Sequence, residues 1–481
     1  MIRTKAILKY LGFISLFNAL FLCISASISL FLHEDSLIPL LYGALVCAVL
    51  GIFPQLFVER IDDITVHEGM AISVLGWIFT CLVGMIPYFM WGGEFTLANS
   101  LFESVSGFTT TGATILNNVE ILPKGLLFWR AATHFIGGVG IILFVLIILP
   151  EKKGIRSSIY HSEVSGLSML NFRMKAREIA NIIVAIYLSL IAIEIILLKI
   201  FGMNWFDAVC HSFATVATGG FSTKNLSIAY YNNVGIEIVI MFFMLISSMH
   251  FGLIYNTVRG RKLNIFTSNV VRSYVTVIFI GIFLVAAQLT VEKVYGFGES
   301  LRYAAFQVIS LGTTTGFAIV DTPNWPIFAI LIQMYFTIQC GMVGSTSGGL
   351  KFDRIYLFFK SLIKQIRLAK HPQGIYAIKV DGTLIDNDME LQTAVFILLY
   401  IITFFVTTLL LTAMNIDGMT AFSAAITTLG NAGPGFGRVS SLGNYSGLPD
   451  AAKYILSGNM LLGRLEIMNI IVFLTMLSRK H

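Results

Sequence analysis

Thr109-Thr110-Thr111-Gly112-Ala113-Thr114 decides how the rest of the chain is read, because related segments return three more times. They are Ala217-Thr218-Gly219-Gly220-Phe221-Ser222, Thr313-Thr314-Thr315-Gly316-Phe317-Ala318 and Gly430-Asn431-Ala432-Gly433-Pro434-Gly435. Aligned on Gly112, Gly219, Gly316 and Gly433, they stand 107, 97 and 117 residues apart (219−112, 316−219, 433−316). A near-constant period dictates a repeat architecture.

Each segment follows a short, mostly apolar run: Leu101–Ser106, Phe206–His211, Tyr303–Gln307 and Ala421–Ala424. These runs are too short to cross a bilayer, but each is flanked by stretches long enough to span about 30 Å of hydrocarbon, which takes roughly 20 helical residues. The unit therefore reads span, half-helix, glycine loop, span. A non-helical loop at membrane depth survives only against water or other protein. Four such loops facing one another aim their carbonyls at a shared axis, where glycine permits backbone shapes closed to other residues. Rings of carbonyls replace the hydration shell of a cation, and the negative ends of the half-helix dipoles point the same way.

Composition supports a membrane protein: among 481 residues, 56% are hydrophobic and 12% charged, and the mean hydropathy is +0.82. The net charge of +6 is not a nucleic-acid signature, because the basic residues sit in loops beside the spans. Cys23, Cys47, Cys81, Cys210 and Cys340 lie far apart in apolar segments; they read as small core hydrophobes, with neither disulfide framework nor metal site indicated. The apolar run from Lys5 to Leu32 is too long for a signal peptide and reads as a retained helix.

In order, spans are expected at about 8–32 and 37–57, forming a hairpin outside the repeats (1–63), before the charged link Glu59–Asp63. The first unit (64–156) has spans at about 69–91 and 125–150 around a half-helix at 97–109. The second (157–262) has spans at 179–201 and 233–258, the third (263–380) at 271–295 and 325–360, and the fourth (381–481) at 391–415 and 451–477. The fold class is thus an all-α polytopic membrane protein of ten spans, with pseudo-fourfold repeats around one pore.

Lys and Arg set the orientation. One set of connections carries Lys152, Lys153, Arg156, Arg173, Lys175 and Arg177, then Arg259, Arg261 and Lys262, then Lys351, Arg354, Lys360, Lys364, Arg367, Lys370 and Lys379. The glycine-loop side has only a scatter such as Lys124, Lys224 and Arg438. The positive-inside rule makes the first set cytoplasmic, with both termini, and opens the loops to the exterior.

With Trp129-Arg130-Ala131, Ile136-Gly137-Gly138-Val139-Gly140, Gly344-Ser345-Thr346-Ser347-Gly348-Gly349 and Gly463-Arg464-Leu465-Glu466 added to the four loops, the chain resembles the Trk/Ktr/HKT superfamily of cation transporters. Within it, the TrkH-like membrane subunits of bacterial potassium uptake systems are the nearest pattern. The resemblance covers essentially the whole length. It implies potassium as the transported ion with no prosthetic group, no enzymatic activity, the bacterial inner membrane, a homodimer and a TrkA-like cytoplasmic nucleotide-binding subunit of the RCK type. The fourth loop departs from the threonine-rich pattern, so fourfold symmetry of side-chain ligands is not expected.

The expected filter is therefore Thr110, Thr111, Gly112; Ala217, Thr218, Gly219; Thr314, Thr315, Gly316; and Asn431, Ala432, Gly433. Between Gly341 and Leu350, seven of ten residues are Gly, Ser or Thr. Each glycine costs a helix about 1 kcal/mol relative to alanine, so the helix should break there; the resemblance implies that Gly344, Ser345, Thr346, Ser347, Gly348 and Gly349 form an intramembrane gate. A phosphate-binding loop is excluded, because the Gly-Lys-Ser/Thr ending is missing. Arg464, near the middle of an apolar helix, is an intramembrane charge and so a functional candidate: an electrostatic barrier facing the ion path. Glu466, two residues on, does not share its helix face.

His134, His211 and His250 lack the four-residue spacing of a helical metal site and read as core histidines; Glu103, Asp207 and Glu194 either attract cations or cap and pair. The basic stretch from Lys351 to Lys379 fits solvated charge, a lipid-headgroup contact or a docking surface. Two rivals remain: a secondary cation transporter coupled to sodium or protons, whose repeats would be inverted, and a haem- or quinone-binding membrane enzyme subunit.

Overall fold

The computed structural model of the protein describes residues 3–58, 64–140 and 176–478. Among these residues the elements are helical apart from one two-stranded hairpin, β1 (Ile378–Val380) and β2 (Thr383–Ile385). Among the described residues, six helices are long and apolar enough to cross a membrane, and two further pairs qualify when each bent pair is counted as one span.

The six are α1 (Thr4–Leu32), α2 (Leu37–Phe57), α3 with the short α4 (Val66–Gly84, Ile86–Trp91), α7 (Ala176–Ile200), α11 (Asn269–Val291) and α15 (Asn387–Ala413). The half-helices are α5 (Leu97–Phe108), α8 (Trp205–Val216), α12 (Phe297–Gly312) and α16 (Gly418–Gly430). Between them lie α6 (Lys124–Val139), α9 with α10 (Val234–Ser247, Phe251–Val258), α13 with α14 (Ile327–Gln339, Phe352–Lys370) and α17 with α18 (Asp450–Arg464, Ile467–Ser478).

Three of the expected spans are broken, two of them expected to be continuous and the third, 325–360, expected to break at its glycines. The stretch 233–258 bends by 102° between α9 and α10, and 451–477 bends by 101° between α17 and α18; 325–360 is interrupted from Cys340 to Lys351. The first bend is held by the polypeptide of the third break. Ser248 O accepts Met342 N–H at 2.8 Å, and Gly344 O accepts Phe251 N–H at 3.0 Å. Groups freed from one helix are thus satisfied by the other, as buried backbone requires. At the second bend Glu466 takes a left-handed φ of 61°.

The far half of the 125–150 span lies outside the described residues, as do the Glu59–Asp63 link, Lys152, Lys153, Arg156, Arg173 and Lys175.

The α1–α2 hairpin closes on small residues: a Cβ on Gly12 would stand 2.9 Å from Gly51 O, and Ser15 Oγ donates to Cys47 O at 2.7 Å. Such side chains let membrane helices approach closely. Beyond the tip of α1, Glu34 accepts the backbone N–H groups of Lys124 and Gly125 at 2.8 and 3.0 Å, placing a carboxylate at the positive end of α6.

Candidate ion filter and gate

The four half-helices start and stop by shared chemistry. Thr96, Asn204 and Asp417 precede α5, α8 and α16 and accept N–H groups of Asn99, Asp207 and Thr420, the N-cap arrangement that satisfies a helix's free donors. At the start of α16 the Asp417 carboxyl is held below its ordinary range, chiefly by the Thr420 N–H bond; α12 starts at Gly296 without a side-chain cap.

All four then end on a left-handed residue: Thr110, Thr218, Thr314 and Asn431, with φ of 53, 54, 62 and 54°. The next N–H turns back to the helix: Thr111 to Ser106 O (2.9 Å), Gly219 to Ala214 O (2.7 Å), Thr315 to Ser310 O (2.9 Å) and Ala432 to Thr427 O (2.9 Å). This is the six-to-one bond of a Schellman ending. Glycine usually fills the left-handed position; a β-branched threonine there is strained, and its use three times marks a constrained site.

Two residues after each left-handed residue comes a glycine of positive φ: Gly112 (78°), Gly220 (86°), Gly316 (81°) and Gly433 (80°). The second loop therefore sits one residue from its expected register. Ala217 is the ordinary cap of α8, with φ −73° and ψ −10°, and the segment equivalent to Thr110, Thr111, Gly112 is Thr218, Gly219, Gly220. The corrected spacings are 108, 96 and 117 residues (220−112, 316−220, 433−316).

These glycines close a ring. A Cβ on Gly112 would strike Gly219 O; on Gly220, Thr315 O; on Gly316, Ala432 O; and on Gly433, Thr111 O. Each loop presses its glycine on the middle carbonyl of the next, and the fourth returns to the first. Gly112, Gly220, Gly316 and Gly433 all line one cavity, roofed by Tyr445 and residues 440–443. The ring is thus legible in contacts that only glycine permits.

Support from behind differs by loop. Seven residues before the left-handed position (110−7, 218−7, 314−7, 431−7) stand Glu103, His211, Gln307 and Ala424. Glu103 accepts Thr114 Oγ1 and Ile115 N–H, both at 3.0 Å, and pairs with Arg130 at 2.8 Å, both side chains buried. Arg130 also donates to Ser222 O at 3.1 Å and covers the Phe221 ring, tying the first loop to the second. His211 Nε2 meets Ser222 Oγ at 2.9 Å, and Gln307 Nε2 donates to Val320 O at 3.0 Å. His134 accepts Phe221 N–H on Nε2 (3.1 Å) and therefore donates from Nδ1 to Gly107 O (2.7 Å), a neutral ring. His250 caps α10, accepting Gly252 N–H. Asp207 accepts Thr223 Oγ1, Tyr231 Oη and Asn204 Nδ2. Among the described residues no group of three His, Cys, Asp or Glu comes together for a metal.

Below the ring lies the segment 340–351. The helix break expected from its glycines is present: α13 ends at Gln339 and α14 begins at Phe352. Ser347 Oγ meets Thr314 Oγ1 at 2.9 Å, Thr346 Oγ1 donates to Val216 O at 2.9 Å, and a Cβ on Gly348 would meet Asn431 at 2.5 Å. Gly344 (φ 76°) and Gly349 (φ 67°) use glycine's freedom, and Ser345 Oγ closes the turn onto Met342 O. The segment therefore touches the ends of the second, third and fourth half-helices.

Arg464 reaches the first. It lies in the last turn of α17 at the bend, not mid-helix, and donates to Thr110 Oγ1 (3.2 Å), Thr346 O (2.7 Å) and Gly137 O (2.5 Å). Glu466 pairs instead with Arg354 of α14 at 2.7 Å.

Sequence comparison places this geometry in a family. The TrkH profile, described as cation transport protein, matches residues 49–480. The Trk system potassium uptake protein TrkH of Escherichia coli is 35% identical over 413 residues, 85% of each chain; its namesake in Vibrio parahaemolyticus is 30% identical over 481 residues, 98% of each. A crystal structure of the potassium transporter TrkH from Vibrio parahaemolyticus superposes with a TM-score of 0.88 at 28% identity, covering 98% of this chain and 99% of that one. Such relatives are transport proteins, which sets aside the haem- or quinone-bearing enzyme subunit. A chain that carries the family's profile from its second helix to its last is a multi-pass membrane protein, and it belongs to the TrkH family of cation transport proteins.

Proposed function

We propose that the chain carries potassium inward across a bacterial inner membrane, through a filter made of the backbone oxygens of Thr110–Gly112, Thr218–Gly220, Thr314–Gly316 and Asn431–Gly433. The observation that carries this reading is the closed cycle of glycine-to-carbonyl contacts around one cavity. Carbonyls gathered around one axis substitute for water around a dehydrated alkali cation. The half-helix C-termini add negative potential, and an inside-negative membrane supplies about 2.3 kcal/mol per charge per 100 mV.

The full architecture in this reading has ten spans, the hairpin 1–63 and four units, 64–156, 157–262, 263–380 and 381–481, in parallel orientation around the pore. Residues Gly344–Gly349 and Arg464 form a closed gate under the filter. The guanidinium puts a positive charge where the next cation would stand, and its bonds to Thr346 and Gly137 hold the loop in place. Opening requires the loop and Arg464 to leave together. The basic cytoplasmic side from Lys351 to Lys379 receives an RCK-type, TrkA-like nucleotide-binding subunit; two copies of this chain pair in the lipid.

Uptake of rubidium or potassium into liposomes under an imposed voltage, with sodium competition and a Gly316→Ser variant, tests the reading. Voltage-driven uptake that the variant opens to sodium supports it; uptake unchanged in rate and selectivity by the variant overturns it. A coupled secondary transporter is the weaker alternative because all four half-helices bring their C-terminal ends to one cavity. A strict requirement for a sodium or proton gradient would restore it.

A further inference from the structure

The third and fourth loops meet in front of a small cavity lined by Gln307, Phe317, Thr322, Gln333, Pro434 and Ser441, among others. It leaves about 10 Å³ for the centre of a water molecule, roughly the least that one water needs. Gln333, on α13, is fully buried, and neither its Oε1 nor its Nε2 has a hydrogen-bond partner in the protein. Leaving a buried amide without partners is costly, because its desolvation is not offset by any hydrogen bond. Such a group in a native fold calls for an occupant of the space it faces.

We propose that this cavity is a structural water site, with Gln333 as its principal ligand, and that the bound water positions the third and fourth loops of the filter. An amide presents donors as well as an acceptor; that combination suits water, which both gives and accepts, and disfavours a cation, which an N–H repels. The mouth of the cavity is polar: Thr322 Oγ1 and Ser441 Oγ meet at 3.1 Å, Ser441 Oγ also donates to Val320 O, and Ser441 is partly exposed.

The location gives the water its role. Phe317 and Pro434 immediately follow Gly316, which closes the third-to-fourth contact, and Gly433, which closes the fourth-to-first. The first and second loops are tied across by Glu103, Arg130 and His134, all protein side chains. At the third and fourth, Gln307 and Ala424 occupy the position of Glu103, and the ties across are the bonds of Ser441 Oγ to Thr322 and Val320. A water held by Gln333 therefore adds to those bonds a polar link behind Phe317 and Pro434.

The inference rests on the filter reading for its role, not for the site. High-resolution electron microscopy of the full-length protein in nanodiscs tests the site: one ordered water within hydrogen-bond distance of the Gln333 amide is expected, and its absence where other buried waters are resolved overturns the proposal. Gln333→Leu, checked for folding by gel filtration, should lose the water. Its potassium-over-sodium preference in liposomes should fall roughly three- to tenfold, the scale of one net hydrogen bond. Gln333→Glu, which keeps a polar ligand, should retain both. A folded Gln333→Leu protein with unaltered selectivity overturns the positioning role. If the water is present but Gly316→Ser leaves selectivity unchanged, the filter reading fails and the site stands.

Discussion

At the scale of single residues, the second loop separates a glycine needed for conformation from one needed for space. Gly220 has φ +86° and its Cβ would strike a neighbouring carbonyl, whereas Gly219 has no left-handed φ and the three atoms nearest to where its Cβ would stand all belong to the His134 ring, the first at 2.5 Å. Gly219→Ala in a His134→Ala background should therefore transport rubidium as well as His134→Ala alone. Gly220→Ala should stay impaired by about tenfold in either background, since left-handed strain of 1–3 kcal/mol is not relieved by removing a side chain. Equal behaviour of the two would refute the corrected register. The sequence held both glycines side by side, and only backbone dihedrals say which one matches Gly112; that is why alignment by residue type slipped by one. Glu103 poses the same kind of problem. Its pore-helix position was visible in the sequence, but its bond to Arg130 joins residues 27 apart. Glu103→Gln should lower the melting temperature of the purified protein markedly, because stranding a buried partner costs about 3–5 kcal/mol. Glu103→Gln combined with Arg130→Met should recover part of that loss; a single variant that melts like the parent would deny the brace.

At the scale of elements, the breaks matter more than the helices. The interruption after Gln339 was legible because seven of ten residues from Gly341 to Leu350 disfavour helix. The bends after Ser247 and Arg464 were not, since Ser248-Met249-His250 and Leu465-Glu466 contain neither glycine nor proline. Those bends follow from tertiary bonds, Met342 N–H to Ser248 O at the first and Arg464 to Gly137 O beside the second. Sequence periodicity does not register such contacts. The bend also explains how a guanidinium on an apolar helix comes to lie against Thr110 and Thr346: the helix ends and lets Arg464 turn inward. Replacing Arg464 by Gln keeps donors for Thr346 and Gly137 but removes the charge. Basal rubidium flux without any cytoplasmic partner should then rise about tenfold, the change given by roughly 1.4 kcal/mol off a barrier. Flux equal to the parent's in a folded protein would remove Arg464 from the gate.

At the scale of the whole molecule, orientation is the claim on which inward transport depends, and it follows from where cations are placed. The helix α14 carries Lys360, Lys364, Arg367 and Lys370 and leads to Ile375, which is 99% exposed. On the opposite face Asn118, also exposed, follows the first loop. Charge bias orients membrane proteins with the basic side in the cytoplasm, so Ile375 should face the cytoplasm and Asn118 the exterior. Cysteines introduced one at a time report this directly. Four of the native cysteines are buried and Cys23 lies on the apolar α1, so background labelling by a membrane-impermeant maleimide should be low. In intact cells Asn118→Cys should react and Ile375→Cys should not; after permeabilisation both should react. The reverse pattern would turn the filter towards the cytoplasm. The Arg464 gate would then lie on the outer side, where a partner inside the cell could not release it.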